Sequence, residues 1–311
     1  ERRAPLALAQ LAEQAGSKRV ESTVAVALIA GLIGLDPAVL EPLVRERFGK
    51  NEAILEANLK AVTTSHAAAQ AWSGAAAFAL PPGTGQAGQL WLAGHEALAL
   101  GAVAGGVTFF SGYPMSPATA ILSNLADWHK KVGIVVVQSE DEIAAINMAA
   151  GAAYGGARAM TATSGGGFAL MVEGLSLLGM IDTPTVIVLG QRPGPATGLP
   201  TRTAQSDRNF VRFAGHGTFP RIILAPRDVL DCIDVTAHAF DLAERFQVPV
   251  IVLTDQLQID TYVAASTPSV ASLPRTRHLL PPEALQNMDT YRRFEQTESG
   301  ISPMEAPGDS Q

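Results

Sequence analysis

Four short segments of this 311-residue sequence bring together residue types that can do chemistry. The first is Ser111-Gly112-Tyr113-Pro114-Met115-Ser116-Pro117-Ala118-Thr119. Its two closely spaced prolines stiffen a loop, and Pro117 suits the first turn of a helix with Ser116 as cap. Either the segment only caps that helix, or it is a rigid rim presenting the Ser116 hydroxyl and nearby N–H groups to an anionic ligand. The second segment, Ser139-Glu140-Asp141-Glu142, opens a run of small apolar residues, IAAINMAAGAAYGGA. Ser139-x-x-Glu142 fits a capping box, and three acids suit the positive end of a helix dipole. The run is apolar on every side, which predicts a helix buried on all faces. A carboxyl in its first turn would sit in a crevice with little water, an environment suited to proton transfer.

The third segment is Thr161-Ala162-Thr163-Ser164-Gly165-Gly166-Gly167-Phe168. A strand, a glycine-rich turn and a helix in that order can cradle a phosphate, although no Lys follows the glycines and the GxGxxG spacing is incomplete. Three glycines can equally serve a tight turn and close helix packing. The fourth runs from Gly190-Gln191-Arg192-Pro193-Gly194-Pro195 through Ala196-Thr197-Gly198-Leu199-Pro200-Thr201. Arg192 could grip a carboxylate with paired N–H donors, or form a surface ion pair. The Pro/Gly scaffold, with Thr197 and Thr201 nearby, favours a ligand loop. The six histidines are scattered without metal-ligand spacing, so no metal site is expected, and no G-x-S-x-G nucleophile elbow is present.

The elements that must hold these segments follow from texture. Residues 91–255 alternate short β-rich runs (107–110, 133–137, 157–163, 185–189, 221–224, 248–253) with helical patterns (92–103, 118–131, 143–154, 168–180, 229–246). Nearly continuous apolar strands alternating with helices predict an α/β fold, a parallel sheet covered on both faces. In such sheets the ligand crevice lies beyond the carboxyl ends of the strands, where all four segments fall. Residues 1–62 read as a small helical tail, 63–90 as an Ala/Gly/Pro-rich linker, 91–264 as the main domain and 265–311 as a connector.

Composition narrows the function. With 47% hydrophobic and only 16% charged residues, disorder is excluded for the bulk of the chain. A net charge of −7 argues against a nucleic-acid partner. A single cysteine, Cys232, excludes a disulfide framework or an iron–sulfur cluster held by this chain alone. It lies in an apolar helical pattern and reads as core rather than nucleophile. No uninterrupted run of ~18 apolar residues predicts a membrane span, and with no signal peptide the cytoplasm is the default location. A start at Glu1 rather than Met suggests a piece of a longer chain.

The strings SGYPMSPAT, VVVQSEDEIAAINMAAGAAYGGARAMTATSGGGFALMVEGL and QRPGPATGLPTRTAQSD closely resemble the alpha subunit of 2-oxoacid:ferredoxin oxidoreductases, over its pyrimidine-binding domain for thiamine diphosphate. The resemblance covers about residues 91–260. Residues 1–62 resemble the tail of a gamma domain fused upstream of alpha in the 2-oxoglutarate type, and YRRFEQTESGISPMEAPG resembles the bridge to the next alpha-subunit domain.

The resemblance implies that a glutamate at the start of the buried helix hydrogen-bonds N1′ of the aminopyrimidine and promotes loss of the thiazolium C2 proton. The resulting carbanion attacks the 2-oxo carbon, CO2 leaves, electrons pass singly to an Fe–S cluster, and coenzyme A takes the acyl group. Glu142, nine residues before Gly151, matches that glutamate, with Glu140 as the fallback. Tyr113, Pro114, Ser116 and Ser164 match cofactor-binding positions. Arg192 matches the receiver of the substrate carboxylate, with Ser116 and Thr197 beside it. Ser116 stands where the family usually has Thr, and Ser164-Gly165-Gly166-Gly167 where it often has TSGPG, a change that should loosen the loop.

No Gly-Asp-Gly…Asn segment for Mg2+ and diphosphate is present, and no set of four cysteines. The resemblance therefore implies that a beta subunit supplies Mg2+ and a [4Fe-4S] cluster, in an alpha2-beta2 assembly serving ferredoxin, and that the chain alone is inactive. The expected substrate is 2-oxoglutarate, giving succinyl-CoA. The alternatives are pyruvate or another 2-oxoacid, half of a non-redox thiamine decarboxylase, or a phosphate- or nucleotide-binding module built on Ser164 to Gly167 and indifferent to Glu142→Gln.

Overall fold

The computed structural model describes residues 6–72, 74, 75, 78–81, 88–195, 198–288 and 290–307, in two compact units, Glu1–Gly85 and Gln86–Gln311. The first unit is helical: α1 (Leu8–Gln14), α2 (Glu21–Ile33), α3 (Leu40–Phe48) and α4 (Glu52–Ala71). Asn51 caps α4 by accepting the Ile54 N–H at 3.1 Å. Gly31 on α2 lies so close to α4 that an added Cβ would stand 2.7 Å from that of Ala69. Helix α4 thus runs nine residues past 62, through the start of the segment expected to be a linker. The alanines there are the best helix formers, and Ala61, Ser65 and Ala69 repeat at i, i+4 and i+8 as buried positions.

In the second unit, β1 (Gln89–Ala93) leads into α5 (Gly94–Ala104), and the chain continues through β2 (Phe109–Gly112), α6 (Thr119–Val132), β3 (Val135–Gln138), α7 (Glu142–Tyr154) and β4 (Ala159–Ser164). Then come α8 (Gly165–Leu170), α9 (Val172–Met180), β5 (Thr185–Gln191), α10 (Arg208–Phe213), β6 (Ile222–Leu224), α11 (Asp231–Phe246), β7 (Pro249–Asp255), α12 (Gln256–Asp260), β8 (Tyr262–Ser266) and α13 (Pro282–Gln286). Strands β1 and β8 pair antiparallel as a separate ribbon. The other six form one parallel sheet in the order β3-β2-β4-β5-β7-β6, each within two residues of its expected position.

Both faces of that sheet are covered, as the apolar strands require. Val186 and Val188 of β5 point with Val250 and Val252 of β7 into a core shared with α5, α6 and α11. Their neighbours Ile187, Leu189, Ile251 and Leu253 point into a second core shared with α7, α8, α9 and α10. The chain leaves β2 through α6 on one face to edge strand β3 and returns through α7 on the other face to β4. In open α/β sheets a change of direction such as this one, between β2 and β4, is where the ligand crevice falls, beyond the carboxyl ends of the strands.

The segment after β8 is tied to the unit by charge. Arg158 and Glu244, with side chains 2% and 3% exposed, pair at 2.9 Å, and Arg277 reaches the other Glu244 oxygen at 2.8 Å. Among the described residues no helix is long and apolar enough to cross a membrane.

Candidate functional site

Helix α7 begins two residues later than a capping box would place it. Asp141, not Ser139, is the cap: its carboxylate accepts the Ala144 N–H at 2.7 Å, while the Ser139 hydroxyl donates to the Asp141 carbonyl at 2.9 Å. The expected Ser139…Glu142 box is therefore not formed: with Asp141 as the cap, its side chain takes the N–H of the third helical residue, and Ser139 lies outside the helix. Glu142 becomes the first helical residue, with its side chain released from capping. It is 2% exposed, and its Oε1 is buried without a hydrogen-bond partner. Glu140 by contrast is exposed. The helix is not buried on all sides within this chain: Ile143, Met148 and Tyr154 are 49%, 41% and 59% exposed.

The three glycines after β4 form the first turn of α8, not an open cradle. A Cβ on Gly167 would stand 2.1 Å from Thr163 Oγ1 and 2.6 Å from Glu142 Oε1, so both oxygens border one point. Thr163 Oγ1 and Ser164 Oγ are also buried and unpartnered. A Cβ on Gly165 would meet Asp207 Oδ2 at 2.3 Å. The run therefore packs between two carboxyl groups as the first turn of a helix, and this close packing speaks against an open phosphate cradle.

The first segment differs from expectation at its cap. Helix α6 starts at Thr119 after Ala118 with no side-chain cap, because Pro117 and Ala118 turn into the core before the first helical N–H. Ser116 is exposed and caps nothing; its carbonyl accepts from Arg192 Nη1 at 3.0 Å. Tyr113 is exposed and Pro114 half-buried on the same loop. Arg192 also reaches Thr201 Oγ1 at 3.4 Å, and among the described residues it forms no ion pair, and its Nε and Nη2 donate to no protein group. One edge of the guanidinium is thus fixed and the other is free. It borders a cavity of about 190 Å³ with Gly165, Gly166, Ala169, Asp207 and Phe210. Thr197 lies outside the described residues.

The loop ending at Asp207 supplies what the sequence reading missed. The Asp207 N–H donates to Gln191 Oε1 at 2.9 Å, its Oδ2 is buried without a partner, and burial holds its carboxyl above the usual range. The loop is tied down where Thr203 and Gln205 donate to the buried carboxylate of Asp255. Nothing in the spacing marked Asp207, since sixteen residues and an irregular loop separate it from Gln191. Cys232 is core: burial first, and nearby acids second, push its thiol up to about 12. No group of three or more metal-ligating side chains is assembled among the described residues.

Residues 100–299 match the family described as pyruvate flavodoxin/ferredoxin oxidoreductase, thiamine diphosphate-binding, and residues 2–68 match the one described as pyruvate ferredoxin/flavodoxin oxidoreductase. The chain belongs to the pyruvate flavodoxin/ferredoxin oxidoreductase family. It is 40% identical over 302 residues to 2-oxoacid:ferredoxin oxidoreductase 1, subunit alpha, of Sulfurisphaera tokodaii, covering 92% of this chain and 47% of that one. It is 45% identical over 169 residues to the 2-oxoglutarate synthase subunit KorA of Methanothermobacter marburgensis, covering 54% of this chain and 45% of the relative. Among solved structures it resembles the 2-oxoglutarate:ferredoxin oxidoreductase of Magnetococcus marinus, whose structure holds 2-oxoglutarate, coenzyme A and succinyl-CoA. The TM-score is 0.82 at 38% identity, covering 98% of this chain and 53% of that one. The chain thus spans about half the length of relatives it matches.

The site fits the cofactor of this oxidoreductase family on its own geometry. A ring with a basic nitrogen and a polar substituent needs a buried carboxyl and nearby hydroxyls with unused hydrogen-bonding capacity. Glu142 Oε1, Thr163 Oγ1 and Ser164 Oγ have that capacity, and Gly167, lacking a Cβ, lets α8 pack against the first two without displacing them.

Proposed function

We propose that this chain is the pyrimidine-binding part of the alpha subunit of a thiamine diphosphate-dependent 2-oxoglutarate:ferredoxin oxidoreductase, which converts 2-oxoglutarate and coenzyme A to succinyl-CoA and CO2 with electrons passing to ferredoxin. The observation that carries this reading is the buried, unpartnered Oε1 of Glu142 at the start of α7, packed closely against Gly167 and beside the unpartnered Thr163 hydroxyl. When bound, thiamine diphosphate supplies a nucleophilic carbon for the 2-oxo carbonyl and a sink for the electrons left when CO2 departs. Glu142 holds a proton at Oε1 toward the pyrimidine, in a crevice that excludes water and so strengthens the bond. Ser164 and the Tyr113-Pro114 rim, with Ser116, border the cofactor. Arg192 presents its free Nε/Nη2 edge to the substrate carboxylate, with Ser116 and Thr197 beside it.

The similarity to the KorA subunit and to the Magnetococcus enzyme supports 2-oxoglutarate over pyruvate. A beta subunit carrying Mg2+ and a [4Fe-4S] cluster completes the site in an alpha2-beta2 assembly. The exposed face of α7, with Ile143 and Tyr154, suits burial against it. The test is turnover of the alpha–beta complex with 2-oxoglutarate, coenzyme A and a one-electron acceptor, wild type against Glu142→Gln. A loss of ~10²-fold or more is expected. Unchanged turnover rejects Glu142 and turns the search to Glu140, and turnover with pyruvate but not 2-oxoglutarate rejects the substrate.

A further inference from the structure

Arg192 and Asp207 border the same small cavity, and among the described residues they are its only charged groups. Their states differ. Arg192 keeps a free donor edge. Asp207 is held in place through its backbone by Gln191, while its Oδ2 is buried and receives no hydrogen bond. An ionised Oδ2 in that position gains nothing from the protein, whereas a protonated Asp207 carboxyl can donate to a ligand in the cavity it borders.

We propose that Asp207 is a specificity-determining residue of this site: it must hold a proton for an oxoacid carboxylate to seat beside Arg192. The proposal rests on the functional reading above. With Asp207 ionised the cavity is neutral and the incoming anion meets a bare carboxylate. With Asp207 protonated the cavity carries the single positive charge of Arg192, and the anion gains a second donor opposite the guanidinium. Other charged side chains on the surrounding elements are Arg208 at the start of α10, Asp255 at the end of β7, and Glu142 on the far side of Gly167. Asp255 is occupied by Thr203, Gln205 and the Gln258 N–H. Burial of Asp207, which raises its affinity for a proton, brings the required state closer to neutral pH. Anion binding and proton uptake are then linked.

The experiment is the pH dependence of KM and kcat for 2-oxoglutarate in the alpha–beta complex, wild type against Asp207→Asn. Asparagine keeps a donor at the same place and cannot ionise. Above the ionisation of Asp207 the wild-type KM should rise toward about tenfold per pH unit while kcat holds. The KM of the variant should lose that slope. Parallel slopes in the two proteins overturn the proposal. If the variant does not assemble, wild type answers alone. Calorimetric binding of 2-hydroxyglutarate, which offers the carboxylates without a carbonyl, in two buffers of different ionisation heat should show proton uptake, and none overturns the proposal. A wild-type complex that turns over neither 2-oxoglutarate nor pyruvate overturns the functional reading and this inference with it, whereas turnover with parallel slopes overturns only the role of Asp207.

Discussion

Replacing Gly167 with alanine tests the crevice around Glu142 with a single carbon atom. The backbone there is helical, so alanine brings no conformational strain of its own. The added Cβ would lie 2.1 Å from Thr163 Oγ1, 2.6 Å from Glu142 Oε1 and 2.9 Å from Glu142 Cγ. Thr163 sits in strand β4 with 0% exposure and pairs with Leu189 of β5, so its backbone cannot retreat. Reaching even 3.0 Å requires its oxygen to move by about 0.9 Å, or Glu142 to leave its place. Overpacking of this kind costs ~1–3 kcal/mol, offset by ~0.5–1 kcal/mol from removing the glycine's freedom in the unfolded chain. The net loss should be about 1–2 kcal/mol, a fall in Tm of roughly 2–8 °C for a unit of this size. Activity of the complex should fall further than stability explains, by ~10²-fold, because a carboxyl displaced by ~1 Å no longer meets its partner. Gly151→Ala is the matched control: it is also helical and its Cβ meets nothing within 4 Å, so a gain of ~0.5–1 kcal/mol is expected in thermal melts. A Gly167→Ala protein with wild-type Tm and wild-type turnover would refute the packing of Glu142 argued here.

Glu244→Ala leaves the guanidinium of Arg158 buried without its carboxylate and should cost ~3–5 kcal/mol in urea unfolding; a loss below ~1 kcal/mol would show that the pair is not desolvated as the structure has it. Cys232, with its thiol pushed up to about 12 and fully buried, should not react with a thiol reagent at neutral pH until the chain unfolds; stoichiometric labelling of the native protein contradicts this. Because the Asp207 carboxyl is raised above its ordinary 3.8 by burial, its contribution to stability is full below that value and is lost as pH rises through the folded-state ionisation. Asp207→Asn should therefore melt higher than wild type at neutral pH, with the gap closing as pH falls; a gap independent of pH sinks this account.

The parallel sheet was legible because its strands are apolar on both faces, so composition alone marks them out between helices. Short elements were not. Leu92 and Ala93 read as helix, yet they finish β1, because pairing with β8 some 170 residues away decides their conformation. The second segment was legible as a helix start, but its spacing points to Ser139 as the cap whereas Asp141 takes it, and that two-residue shift decides whether Glu142 is a structural or a free carboxyl. Arg192 could be marked by its place after a buried strand; its fixed and free edges depend on the Ser116 carbonyl, seventy-six residues distant. Asp207 had no local signal at all, since its meaning comes from Gly165 across the crevice.

The unpartnered oxygens tie these observations together. A buried oxygen without a donor costs ~1–3 kcal/mol, so a fold whose net stability is ~5–15 kcal/mol can carry only a few. Ser65 of the first unit and Thr236 of α11 show such atoms away from this crevice. Glu142, Thr163, Ser164 and Asp207 are different because they border a single turn, the glycines that open α8. A side chain at Gly165 or Gly167 would overlap Asp207, or Thr163 and Glu142, and its absence lets the turn pack directly against these oxygens. Such a concentration of unsatisfied polar groups lowers the stability of the chain by itself, and a ligand with matching donors and acceptors that binds there would restore that stability.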